Sequence, residues 1–112
     1  MKTSSLLKNL EYKESKPAIN VLFETESAKE IRIVMRNGQL MKKHQTPFPI
    51  VVEMFEGDLD FGVEGEVHHL KRGDILALEA SVPHDLIAKS DCIVRLTLSK
   101  SDTVQRVEKV VE

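Results

Sequence analysis

The chain has 112 residues, 41% of them hydrophobic and 30% charged, with a formal net charge of −2. That composition fits one globular domain able to bury a core without metal or disulfides, and it is too apolar for a disordered chain. Acids and bases are interspersed without a basic excess, and no apolar window is long enough to span a bilayer, so neither nucleic acid nor a membrane is an expected partner.

Residues 1–10 carry a broken apolar run and no cleavage site, unlike a signal peptide. The single Cys92 precludes an internal disulfide and agrees with a reducing compartment, so the expected location is cytoplasmic. Residues 1–16 are polar apart from Leu6, Leu7, Leu10 and Tyr12. Their spacing is weakly helical, and it suits equally an arm that docks on another subunit. The expected organisation is therefore an N-terminal arm over 1–16 and a single β-barrel domain over 17–112.

From Pro17 the pattern changes to strands. Residues 18–23 form one run. In 29–36, Ile31, Ile33 and Met35 alternate with Glu30, Arg32, Val34 and Arg36, the period of a half-buried strand. Asn37-Gly38 is a strong hairpin signal and predicts a type I′ turn into a strand over 39–44. Residues 50–55 are densely apolar except for Glu53, and 56–58 turn the chain. A strand over 59–63, a tight turn at Glu64-Gly65 and a strand over 66–70 follow. A Lys-Arg-Gly-Asp turn at 71–74 leads into a short apolar strand over 75–78. After a break at 79–81, Val82-Pro83 delivers His84 with a fixed backbone direction, because proline restricts both itself and its predecessor. Strands over 86–88 and 92–98 close the pattern. Positions 104, 107, 110 and 111 fit a short helix, while the valines of that tail favour a strand. Many short strands joined by glycine turns predict an all-β sandwich or barrel.

His44 and His84 are the candidate site. Each stands at the mouth of a strand beside prolines, which suggests that both enter one pocket. Positions 44, 46 and 50 share parity, so on an uninterrupted strand they face one side of the sheet, although Pro47 and Pro49 interrupt it. The even-numbered Phe48 and Met54 fit a pocket lining beside His44. Lys42 shares that parity and suits either the pocket mouth, facing an anionic ligand, or the solvated surface. The odd-numbered Phe55 then faces outward, where a second subunit covers it, or packs within its own barrel. Glu53 is expected on the face away from the pocket. His68 and His69 point to opposite faces of one strand and cannot enter one site together. Cys92 shares parity with Val94, Leu96 and Leu98 and reads as a small core residue. No Ser-His-Asp arrangement, phosphate-binding glycine loop or CxxC pair is present, so the sequence nominates no catalytic residue.

The spacing of Gly38, His44 and Gly57, then of Gly73 and His84, resembles that of small single-domain cupins, which are double-stranded β-helix or jelly-roll barrels. The resemblance spans about residues 29–98 and implies a cupin-type fold. In metal-binding cupins, two histidines and a glutamate of the first motif join the histidine of the second. Here His44 and His84 stand at two of those four positions, with Thr46 at the second histidine and Ile50 at the glutamate. The resemblance thus implies a degenerate metal site. Two imidazoles hold Zn, Ni or Cu weakly and disfavour Fe(II), which usually needs a carboxylate. Two functions follow as expectations: a small-molecule-binding protein anchored by His44 and His84, or a metal-dependent oxygenase or isomerase. Because barrels of this kind commonly pair through strand exchange, a homodimer is expected, with the N-terminal arm and the Phe55 face contributing.

Overall fold

The computed structural model describes residues 1–100. The tail for which a helix and a strand competed lies outside the described residues. Nine strands and no helix are present among the described residues: β1 (Ala18–Glu24), β2 (Ala28–Met35), β3 (Leu40–His44), β4 (Ile50–Glu56), β5 (Leu59–Val63), β6 (Glu66–Leu70), β7 (Ile75–Leu78), β8 (His84–Ala88) and β9 (Cys92–Ser99). They form a five-stranded sheet in the order β1-β2-β9-β4-β7 and a four-stranded sheet in the order β3-β8-β5-β6, with every pairing antiparallel. Only β1–β2 and β5–β6 are hairpins. Every other connection passes the chain from one sheet to the other, which is the winding of a double-stranded β-helix. The expected jelly-roll fold is the observed one.

The turns decide this winding. Glu64 and Gly65 have φ of 52° and 76°, and Val63 pairs with Glu66, so a two-residue type I′ turn joins β5 to β6. Asn37-Gly38, expected to make such a hairpin, does not. Gly38 has φ of 90° but Asn37 is not in the left-handed region, so the turn lacks the paired positive φ that type I′ requires. It hands the chain from β2 in the large sheet to β3 in the small one. Gly57 plays the same part after β4. Its φ is 78°, and a Cβ there would stand 2.3 Å from the Asp91 carbonyl oxygen, so only glycine fits.

The core lies between the sheets. Ile33, Met35, Ile50, Val52, Met54, Leu59, Phe61, Leu86, Cys92 and Val94 are buried together there. Cys92 is fully buried, and burial pushes its thiol up to about 11, which leaves it unreactive. The apolar alternation of β2, β4 and β9 thus falls as the sequence predicts.

The outer face of the large sheet does not. Arg32 and Val34, read as the solvent side of β2, are 4% and 0% exposed. Val34 pairs with Ala18 on β1 and with Ile93 on β9, and these three form a small apolar row outside the barrel core. The N-terminal arm covers it. Arg32 donates to the carbonyls of Ser5, Leu6, Lys8 and Asn9, and its Nε and Nη2 donate to Asn20 Oδ1. Further along the arm, the Tyr12 ring lies 5.4 Å from the Arg36 guanidinium, and Gln39 donates to the Lys13 carbonyl at 2.8 Å. In the single chain the arm is therefore a strap across its own sheet.

Candidate functional site

His44 ends β3 and His84 begins β8, and the two residues are direct cross-strand partners. Partners in a ladder place their side chains on the same face. The ring centroids are 4.4 Å apart with the planes tilted by 59°. Phe61 on β5 stacks on His84 at 5.4 Å and 9°, which fixes the second ring from below. The five-residue link from His44 to Ile50, and a 2.7 Å hydrogen bond from the Ser81 amide to the Thr46 carbonyl, bring the 45–49 and 79–83 loops to the same end of the barrel. The imidazole pair lies at that mouth.

Parity alone does not explain how His44 faces inward. Met41 pairs with Leu86 and His44 with His84, so both Lys42 and Lys43 oppose the single residue Asp85. This bulge lets Met41 and His44, of opposite parity, share the inner face. It also removes the parity argument for Lys42, whose side chain is exposed. The Lys42 backbone is what serves the site: its carbonyl accepts a 2.7 Å hydrogen bond from His44 Nδ1. His84 Nδ1 donates likewise to the Val82 carbonyl at 2.9 Å. A carbonyl can only accept, so both Nδ1 atoms carry the proton in the neutral rings and both Nε2 atoms are bare acceptors. No other group among the described residues hydrogen-bonds to either Nε2.

Burial, more than any neighbouring charge, lowers the His84 pKa. The bond to Val82 opposes that shift, His44 adds to it, and Asp85 partly offsets it. His84 is 4% exposed whereas His44 is half-buried, so an incoming molecule meets His44 first.

The other sequence candidates divide. Ile50 and Met54 are buried in the core, Ile50 in the row nearest the mouth, where it pairs with Leu98 and Leu78. Met54 lies deeper in the same strand, opposite Val94. The Thr46 hydroxyl is occupied by its own loop, donating to the Phe48 carbonyl at 2.8 Å and accepting from the Phe48 amide at 3.2 Å. Phe48 is half-buried and does not join the core. A cleft of about 530 Å³ lies along the β4–β7 edge, lined by Ile50, Val51, Ala77, Leu78, Glu79 and Ser99 among others, and neither histidine lines it. Phe55 is the extra residue of a second bulge, in β4, and also stays outside the core. Glu53 lies 3.6 Å from Arg95 on the outer face, away from the pair.

His68 and His69 do take opposite faces, pairing with Phe61 and Asp60 respectively. His69 is held on the outer face by Asp60 at 2.7 Å and Asp58 at 3.0 Å, and that bond to His69 is the main cause of the lowered Asp60 pKa. Sequence reasoning missed Arg32 as a buried cation. The available signal was Val34, an aliphatic residue on the charged side of an alternating strand, with Ile93 in an equivalent place.

A resident metal does not fit this donor set. The described residues contain no group of three His, Cys, Asp or Glu side chains that could hold an ion. Thr46 and Ile50 supply an engaged hydroxyl and a hydrocarbon where two further ligands are needed.

No family model matches the chain, and no curated protein matches it. Solved structures do. An RmlC-like cupin protein from Desulfovibrio desulfuricans superposes with a TM-score of 0.81 at 24% identity, covering 88% of this chain and 96% of that one. A double-stranded β-helix protein from Klebsiella pneumoniae superposes at 0.77 with 19% identity, covering 88% and 89%. KdgF from Halomonas sp. superposes at 0.70 with 17% identity, covering 81% and 87%. At these identities the likeness establishes the fold, which is that of a small cupin domain.

Proposed function

We propose that the chain binds a small molecule at the barrel mouth, with His44 and His84 as its polar anchors and without an obligatory metal. One observation carries the reading: two imidazoles 4.4 Å apart, each with Nδ1 donating to its own chain and Nε2 without a partner. Two bare acceptors side by side call for a ligand that brings protons, such as a hydroxyl or a weakly acidic group. Val63, the cross-strand partner of His84, and Met41 on the His44 strand are apolar and partly buried, which favours a hydrophobic body behind that group.

A ligand O–H placed between the rings donates a hydrogen bond to one Nε2, and a second donor on the ligand can serve the other. The lowered His84 pKa keeps that ring neutral and able to accept near pH 7.

The retained pair of histidines also supports a second reading, a metal-dependent oxygenase or isomerase whose ligand set is completed by solvent or substrate. One titration separates the two. The parent and His84→Ala are titrated with Zn and Fe(II), and with a phenol as the weakly acidic apolar probe. The binding reading expects weak Zn, negligible Fe(II), and saturable phenol binding that is lost in His84→Ala. Stoichiometric tight Fe(II) in the parent, abolished by His84→Ala, makes the protein an enzyme instead.

The proposal includes a homodimer. Ile19 and Val21 on edge strand β1 pair with Ile33 and Ile31, so they continue the inner apolar rows, yet they are 55% and 57% exposed. A second subunit covering that overhang, with the arm and the Phe55 face alongside, completes the sandwich. The single buried thiol supports a cytoplasmic location.

A further inference from the structure

Beside the strap lies a cleft of about 460 Å³, bounded by Ser4, Ser5, Lys8, Asn9, Asn20 and Arg32 among others, none of them acidic. Arg32 is a buried guanidinium with no carboxylate partner. Five carbonyl or amide oxygens accept from it, three of them at 3.3 to 3.5 Å, and no anion compensates its charge. Burying a cation on dipoles alone is costly. On the strand opposite, Arg95 pairs directly across from Arg32, but Glu30 and Glu53 both engage Arg95 and neither is paired with Arg32.

The other polar groups around the cleft present donors. Lys8 Nζ has no hydrogen bond or ion pair among the described residues. The Ser5 hydroxyl oxygen already accepts from the Leu7 and Lys8 amides, so what it has left to offer is its proton. Asn20 Oδ1 is taken by Arg32, which leaves the Asn20 NH2 as donor. The Nε–Nη2 edge of Arg32, the one suited to a planar carboxylate, is already closed by Asn20. What remains is a set of single donors converging from several directions, which suits a tetrahedral anion better than a flat one.

We infer that this cleft is a binding site for one small tetrahedral oxyanion of the phosphate class, seated between Lys8, the Ser4 and Ser5 hydroxyls and the Asn20 amide, beside the buried charge of Arg32 whose own donors are already engaged. The anion acts as a nearby counter-charge to Arg32 and fastens the arm, through Lys8 and the serines, to Asn20 on the sheet. The cleft is open-sided and far larger than a bare phosphate, so an ester group can project from it.

The test titrates the full chain with inorganic phosphate at constant ionic strength, with chloride as the matched control, following amide resonances and the thermal midpoint. Phosphate is expected to bind saturably, to raise the midpoint, and to move resonances of residues 3–9, 20 and 32. Lys8→Gln should weaken binding by about tenfold or more, as loss of one charged hydrogen bond does. Asn20→Asp places a carboxylate on the same Arg32 edge, so it should raise the phosphate-free midpoint and abolish the response to phosphate. Glycerol phosphate binding as well as inorganic phosphate identifies a phosphomonoester as the ligand class; its exclusion identifies the free anion. Absence of a saturable response in the parent, or an undiminished response in both variants, overturns the inference.

Discussion

Arg32 and His84 are equally buried, each 4% exposed, yet one has its donors engaged and the other keeps a ring nitrogen without a partner. Arg32 is met by an arm whose carbonyls turn toward it, so its burial builds structure. His84 is hydrogen-bonded only at Nδ1, by the Val82 carbonyl, and its ring lies 4.4 Å from that of His44. A buried polar group with every bond made holds the chain together; one with a bond withheld is available for chemistry. Burial alone does not distinguish the two roles, and the hydrogen-bond inventory does.

The sharpest way to test this contrast is to remove each group. Arg32→Ala leaves Asn20 and the arm carbonyls without their donor, and should destabilise the protein by about 3 kcal/mol. It should also expose the arm to proteolysis, which limited trypsin or chymotrypsin digestion will read at Lys8 or Tyr12. Completing the withheld valences is the next largest effect. Thr46→His with Ile50→Glu restores two ligands to the mouth and should tighten Zn binding by at least about a hundredfold, since ligands outweigh the outer-shell partners known to matter that much. Calorimetric titration of parent and double variant decides it.

His84→Phe keeps the ring, the volume and the stack on Phe61, and gives up one hydrogen bond to a loop carbonyl. Stability in urea should stay within about 1 kcal/mol of the parent while phenol binding disappears. A cost comparable to Arg32→Ala would mean that the histidine is structural after all.

The smallest effect is on pH dependence. The folded His84 pKa lies below its unfolded value, so between the two the unfolded chain binds more protons. The contribution is fully present above the unfolded pKa and is lost as pH falls through the folded one. The parent should therefore lose more stability than His84→Phe between pH 7.5 and pH 5, measured by urea midpoints in each buffer.

Much of this architecture is legible in the sequence because it depends on local chemistry. The alternation of Ile31, Ile33 and Met35 places the inner face of β2, and the spacing of Gly38, His44, Gly73 and His84 carries the resemblance that places the winding. The turn type at Asn37-Gly38 was misread because the dipeptide permits a hairpin without requiring one, and sheet membership is settled by pairing with distant β8 and β9. The strap was illegible for the same reason. Nothing local to Arg32 says that residues 5–9 will return to cover it. The histidine pair is legible from its prolines and spacing, but the place of Lys42 beside it rests on unbroken parity with His44, whereas a bulge at Lys42 and Lys43 lets Met41 share the inner face instead.

That bulge has a consequence for how this strand tolerates insertions and deletions. In an unbulged strand the loss of one residue turns every following side chain to the opposite face. In β3 two lysines share the place of one, so a chain lacking either of them reaches His84 with the histidine still on the inner side. What such a chain gives up is the bent backbone from which the Lys42 carbonyl grips Nδ1. The histidine's side of the sheet and the histidine's tautomer are thus inherited separately, and a lineage can shorten this strand by one codon, losing the grip before it loses the residue.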